Sequence, residues 1–196
     1  MTKGPVVAGA VLTGGASRRM GRDKSLVEID GTPMAARAIS ALRESGADPI
    51  VLVGGDADSL RRFDVDVVAD RWPGEGPLAA VATALTADPL AVADVVVIVA
   101  TDQPWLVGTE LAALVDAVVA DPAAVGAVAD RGQGRFDGLP GAWRRLLGPA
   151  VVAAVETGHR RLDHLLALGP VLTVRPADPD ALADVDEPPD LDRRRS

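Results

Sequence analysis

Short apolar runs alternate along this chain with stretches in which apolar residues recur every three or four positions. The runs at 6–12, 50–53, 65–68 and 95–99 are rich in Val, and each leads within two residues into Thr, Gly or Asp. Such uninterrupted β-branched segments read as strands buried on both faces. Between them, residues 77–87 read as an apolar helix. Leu111, Leu114, Val115, Val118 and Val119 keep the i, i+3, i+4, i+7, i+8 spacing of a core-facing helix, with Thr109 as its expected N-cap. Residues 26–29 predict a short extended piece. Asp30-Gly31 turns it into a helix with Thr32 as N-cap and Pro33 at the first helical position, ending near Ser45-Gly46. Further strands are predicted at 125–129, 138–143 and 171–174, and helices at 149–156 and 161–168. This alternation predicts an α/β fold with a largely parallel sheet. A length of 196 residues fits a single domain spanning 1–196, with about 191–196 as a frayed tail.

In an open sheet of this kind ligands bind beyond the carboxyl ends of the strands, so the polar residues that follow each run are the ones to inspect. After the first run comes Leu12-Thr13-Gly14-Gly15-Ala16-Ser17-Arg18-Arg19-Met20-Gly21-Arg22-Asp23-Lys24. Paired glycines let a backbone approach a ligand closely, and successive N–H groups there can cradle phosphate oxygens. Arg18, Arg19, Arg22 and Lys24 add four cations in seven positions, in a chain whose formal net charge is -8. Read alone, this stretch is either an anion site or a solvated basic turn. Asp23 stands where Walker A needs Gly, and glycines at 14, 15 and 21 miss the dinucleotide spacing.

Composition narrows the chemistry. There is no Cys, so neither disulfides nor thiolate chemistry is available, which suits a reducing cytoplasm. His159 and His164 lack zinc-protease spacing, so oxygen ligands and hence Mg²⁺ are expected of any metal site. The apolar runs are too short to span a bilayer or to act as a signal segment, and an acidic pI near 4.7 argues against nucleic acid as a partner. Asp102, in Thr101-Asp102-Gln103-Pro104 after the most apolar strand, is placed either to hold a metal with substrate phosphates or simply to start a turn. Asp70 ends another strand just before Gly74-Glu75-Gly76-Pro77-Leu78-Ala79, where a carboxylate can accept hydrogen bonds from a ribose or a base edge.

The stretch LTGGASRRMGRDK closely resembles the signature L-x-G-G-x-S-x-R-M-G-x-D-K of the molybdenum cofactor guanylyltransferase family, MobA-like NTP transferases. The resemblance implies a glycosyltransferase-A-like nucleotidyltransferase fold, three-layer α/β/α and Rossmann-like, with a mainly parallel mixed sheet. It implies transfer of GMP from GTP to the phosphate of Mo-molybdopterin with release of pyrophosphate. It also implies a soluble cytoplasmic protein, with molybdoenzymes or other cofactor-biosynthesis proteins as partners. Carried onto this chain, it puts Leu12, Thr13, Gly14, Gly15, Lys24, Asp70 and Asp102 at the nucleotide, makes Arg19, Lys24 and Asp102 catalytic, and gives Mg²⁺ to Asp102. T-D-Q-P is similar to the family's C/T-D-x-P, and D…G-x-G-P-L-A resembles its guanine-binding segment.

Two later stretches match less closely. Gly158-His159-Arg160-Arg161-Leu162 resembles G-x-R-R-L, and Asp184-Val185-Asp186-Glu187-Pro188 resembles N-x-N-T-P, which makes Arg160, Arg161 and Asp186 candidate acceptor contacts. The other reading of these residues is a solvated face and an acidic turn. Asp for Asn and Glu187 for Thr depart from the pattern, as does Asp137-Gly138-Leu139-Pro140. Two further hypotheses stand beside guanylyl transfer: a sibling nucleotidyltransferase with another base or acceptor, cytidylyl transfer included, and a non-catalytic nucleotide- or partner-binding homologue.

Overall fold

The structure, a computed structural model, describes residues 4–14, 24–132 and 136–185. The strands are β1 (Val7–Leu12), β2 (Glu28–Ile29), β3 (Thr32–Pro33), β4 (Ile50–Val53), β5 (Asp66–Val68), β6 (Val95–Ala100), β7 (Gly126–Ala129), β8 (Gly141–Arg144) and β9 (Val171–Val174). The helices are α1 (Met34–Glu44), α2 (Ala57–Leu60), α3 (Pro77–Thr86), α4 (Gly108–Ala120) and α5 (Gly148–Glu156). Seven strands form one sheet in the order β5-β4-β1-β6-β8-β7-β9, and only β8 runs against its neighbours. The mainly parallel mixed sheet is as expected.

Alternation along the central strands divides the core into two layers. Ala8, Ala10 and Leu12 of β1, with Val96 and Ile98 of β6, pack against α3 and α5. Val11, with Val95, Val97 and Val99, faces α1 and α4 on the other side. All of these except Leu12 are fully buried, so the two strands are held from both faces and their carboxyl ends become fixed points.

Several local expectations are corrected. Asp30 (φ 52°) and Gly31 (φ 76°) both take left-handed backbone, the geometry of a tight hairpin turn, so Thr32 pairs with Ile29 and does not cap a helix. Helix α1 begins only at Met34, after Pro33 at ψ 142°. Thr109 lies inside α4, which starts at Gly108 without a side-chain cap. There α4 presses on the end of α1: a Cβ at 108 would sit 2.3 Å from Cβ of Glu44. Strand β8 is shorter than the 138–143 expected and is shifted toward Arg144. The helix expected at 161–168 is a 3-10 turn over Leu162–Ala167. Leu162, Leu165 and Leu168 repeat every three residues, the period of that turn, and all three pack on the core.

Candidate nucleotide site

Strand β1 pairs with β4 on one side and β6 on the other, and the chain leaves β1 and β6 in opposite directions along the sheet. A crevice opens at such a switch point. Because Leu12 is in register with Ala100, the residues that follow each strand, Thr13-Gly14 and Thr101-Asp102, emerge side by side. Here lies a cavity of about 480 Å³, lined by Leu12, Thr13, Gly14, Lys24, Asp70, Gly74, Gly76, Pro77, Ala80, Ala100, Thr101, Asp102 and Leu139. It gathers six of the residues expected at the nucleotide, drawn from the ends of β1, β5 and β6 and the segment before β2. Gly15 and Arg19 fall outside the described residues.

The floor of the cavity is built from backbone. Thr13 Oγ1 lies 3.1 Å from the Val53 carbonyl and 2.8 Å from that of Gly54. The N–H groups of Thr13 and Gly14 both donate to the Val53 carbonyl at 3.0 Å. The Gly14 N–H is thus engaged by the end of β4. Gly14 matters for another reason: it lies against Gly54, whose φ of +79° and 2.9 Å gap from a built Cβ to the Gly14 Cα demand glycine. Sequence reasoning passed over Gly54-Gly55, although a second Gly-Gly directly after a strand was the signal. Thr101 Oγ1 donates to the Leu12 carbonyl at 3.0 Å and locks the β6 exit to that of β1.

The walls are set by side chains. Asp70 is half-buried, and its Oδ1 accepts from the Trp72 N–H and from Thr83 Oγ1, both at 3.1 Å. Thr83 lies on α3 and is 1% exposed, so the helix behind the cavity fixes this carboxylate. Pro77 opens α3, with Gly76 (φ 93°) before it. On the opposite wall the Val185 N–H donates to the Asp102 carbonyl at 2.7 Å, while Lys24 Nζ donates to the Val185 carbonyl at 3.0 Å.

Arg160 and Arg161 lie apart from this cavity and line a separate hollow with His159, Asp163 and His164. Arg160 pairs with Glu75 and donates to the Val155 carbonyl at 2.7 Å, while its own carbonyl accepts from the Leu78 N–H at 3.2 Å. It thus braces the loop that carries Gly74 and Gly76. Arg161 is 84% exposed and pairs with Asp163 at 2.9 Å. Asp186 falls outside the described residues.

Sequence reasoning missed Arg131. Its guanidinium grips Asp184 with two hydrogen bonds, at 2.8 and 3.0 Å, and lies 3.5 Å from Asp137. Burial pushes its pKa down, but the hydrogen bond and charge of Asp184, with the charges of Asp137 and Asp102, outweigh that and hold it above the ordinary arginine value. No spacing signal links residues 131 and 184; only the folded chain brings them together.

Among the described residues there is no cluster of three or more His, Cys, Asp or Glu able to enclose a metal. Two half-buried carboxylates line the cavity; Asp70 is held by Thr83 and the Trp72 N–H, and Asp102 suits a hard cation that takes one or two carboxylates and completes its shell with substrate phosphates and water. No helix among the described residues is long and apolar enough to cross a membrane.

Comparison with known proteins agrees with this architecture. A probable molybdenum cofactor guanylyltransferase of Opitutus terrae is 44% identical over 98 residues, about half of each chain (50% and 48%). The molybdenum cofactor guanylyltransferase of Rhodobacter capsulatus is 31% identical over 191 residues, covering 95% of this chain and 94% of that one. Among solved structures, the molybdopterin-guanine dinucleotide biosynthesis protein A of Archaeoglobus fulgidus superposes with a TM-score of 0.75 at 19% identity, over 95% of each chain. A manganese complex of Rv0371C from Mycobacterium tuberculosis superposes with a TM-score of 0.64 at 22% identity, over 95% of this chain and 96% of that one. The model of the MobA-like NTP transferase domain matches residues 9–174, from within β1 to the last residue of β9, and the chain belongs to that family.

Proposed function

We propose that this protein is a molybdenum cofactor guanylyltransferase, moving GMP from GTP to the phosphate of Mo-molybdopterin with release of pyrophosphate. The observation that carries the reading is the convergence of Thr13, Gly14, Lys24, Asp70 and Asp102 on one cavity at the sheet's switch point. The names borne by the relatives of this chain favour guanylyl transfer to molybdopterin over transfer of another base or to another acceptor.

An oxygen of the acceptor phosphate attacks the α-phosphorus of GTP in line. A new P–O bond forms as the bond to the β-phosphate oxygen breaks, and the electron pair leaves with pyrophosphate. Both reactants are anions, so the protein must bring like charges together and hold them in line. Lys24 supplies a compact positive charge at the triphosphate, and Arg19 and the Gly15 amide are assigned to the same task. Asp70, fixed by Thr83, accepts hydrogen bonds from the nucleoside. The acceptor phosphate is already ionised near neutral pH, so no side chain need act as a nucleophile. Asp102 would hold Mg²⁺, which would supply charge neutralisation at the transferring group. Arg160, Arg161 and Asp186 are assigned to the acceptor side.

Thermal melting with GTP, CTP or ATP, each with and without Mg²⁺, tests the binding half of this proposal. A ligand at 100 times its Kd adds about 2.7 kcal/mol to native stability. GTP with Mg²⁺ is expected to raise the Tm most, with the shift reduced in Asp102→Ala. A larger shift with CTP would favour the sibling cytidylyl enzyme.

A further inference from the structure

Val185 is fully buried against Ile29, Met34 and Trp105, and its N–H and carbonyl both serve one wall of the site. Its N–H holds the Asp102 carbonyl at 2.7 Å and its carbonyl holds Lys24 Nζ at 3.0 Å. One ammonium and one aspartate thus share a single valine as a backbone partner. Asp184 precedes it, and that carboxylate is gripped by the fork of Arg131 at 2.8 and 3.0 Å, with Asp137 behind the guanidinium at 3.5 Å. Arg131 is itself anchored to the sheet, because the Asp130 N–H just before it donates to the Val174 carbonyl of β9 at 2.8 Å.

We infer that Arg131 is a positioning residue for the transfer reaction: its two-pronged grip on Asp184 holds the Val185 peptide where it aligns Lys24 with Asp102. The inference rests on the reading under Proposed function for the reaction, and on the hydrogen bonds above for the clamp. A bidentate guanidinium–carboxylate pair fixes orientation as well as distance, which a lysine in the same place cannot do. It also accounts for the aspartate at 184, where the resembled motif has Asn. The charge is matched by Arg131, so the carboxylate need not repel an anionic acceptor. Without Arg131 the half-buried Asp184 faces Asp137 and turns toward water, drawing Val185 with it.

The test compares Arg131→Ala, Arg131→Lys, Asp184→Asn and the double variant Arg131→Ala/Asp184→Asn. It measures steady-state pyrophosphate release with GTP, Mg²⁺ and Mo-molybdopterin, and hydrogen exchange at the Val185 amide. Arg131→Ala is expected to lose kcat on the order of 10- to 100-fold, the scale of a misplaced catalytic group, and to speed Val185 exchange about tenfold or more. Asp184→Asn alone, which keeps its packing and part of its hydrogen bonding, is expected to lose less. The double variant should recover activity relative to Arg131→Ala, because the stranded charge is gone. Arg131→Lys keeps the charge without the fork and should fall between wild type and Arg131→Ala, which keeps the test open if the alanine variant does not fold. Wild-type kcat in Arg131→Ala, or a lost kcat with Val185 exchange unchanged, overturns the inference. If the wild-type protein releases no pyrophosphate, the functional reading fails, and the exchange rates alone decide the clamp: faster in Arg131→Ala upholds it, unchanged refutes it.

Discussion

The carboxyl edge of the sheet is built in two different ways along its length. Over β4, β1 and β6 the contacts are made by backbone: Thr13 and Gly14 donate to the Val53 carbonyl, Gly14 lies against Gly54, and Thr101 holds the Leu12 carbonyl. Around β7, β8 and the chain beyond α5 the contacts are ion pairs: Arg131 with Asp184 and Asp137, Arg160 with Glu75, Arg161 with Asp163. Backbone contacts between buried strand ends fix positions rigidly. Of these ion pairs the exposed Arg161–Asp163 fixes least, whereas the two-pronged Arg131–Asp184 pair, with Arg131 mostly buried, fixes both distance and orientation.

That contrast yields graded expectations. The largest effect belongs to Asp102→Ala, at the exit of the most buried strand: a loss of roughly 10²- to 10³-fold in pyrophosphate release, the scale seen when a preorganised electrostatic group is removed. The Tm should hardly move, because Asp102 is only half-buried; a collapse in Tm would recast it as structural. Next comes Gly54→Ala, which forces a Cβ into left-handed backbone 2.9 Å from the Gly14 Cα. It should cost about 2 kcal/mol of stability, read as a Tm roughly 4–8 °C lower, and should weaken GTP binding as well. Wild-type melting there would mean that the floor is more yielding than its backbone contacts imply.

Thr83→Val should cost less, about 1–2 kcal/mol by denaturant titration, since it strips a partner from Asp70 and from the Arg71 N–H, which donates to Thr83 Oγ1 at 3.2 Å. Its functional mark is a higher KM for GTP with kcat little changed, as expected when binding is lost equally from ground and transition states. The smallest effect on stability belongs to Arg161→Ala, within about 0.5 kcal/mol, because an 84% exposed pair is screened by water. If Arg161 meets the acceptor, its loss raises the KM for molybdopterin and leaves that for GTP alone; equal change in both would place it with the nucleotide.

The same contrast governs what could be read from the sequence. Strands β1 and β6 were legible because burial on both faces leaves an unbroken apolar run, and helix α4 because one buried stripe leaves a periodic one. That Asp102 and Gly14 line the cavity was legible because each comes two residues after one of those strands. Gly54 was overlooked although its signal was local. The partnership of Arg131 with Asp184 spans 53 positions, and neither residue carries a mark of the other. Arg160 was expected at the acceptor; that it also braces the Gly74–Gly76 loop is visible only once Glu75 is beside it. Thr32 and Thr109 failed as caps because tertiary contacts, a hairpin turn and the press of α4 on α1, set where those helices begin.

The most direct test of the central claim is pyrophosphate release by the purified protein with Mo-molybdopterin and Mg²⁺, supplied in turn with GTP, CTP and ATP. Fast release with GTP that depends on the acceptor and is nearly lost in Asp102→Ala is the predicted result. Equal or faster release with CTP, or no release with any triphosphate, would contradict it.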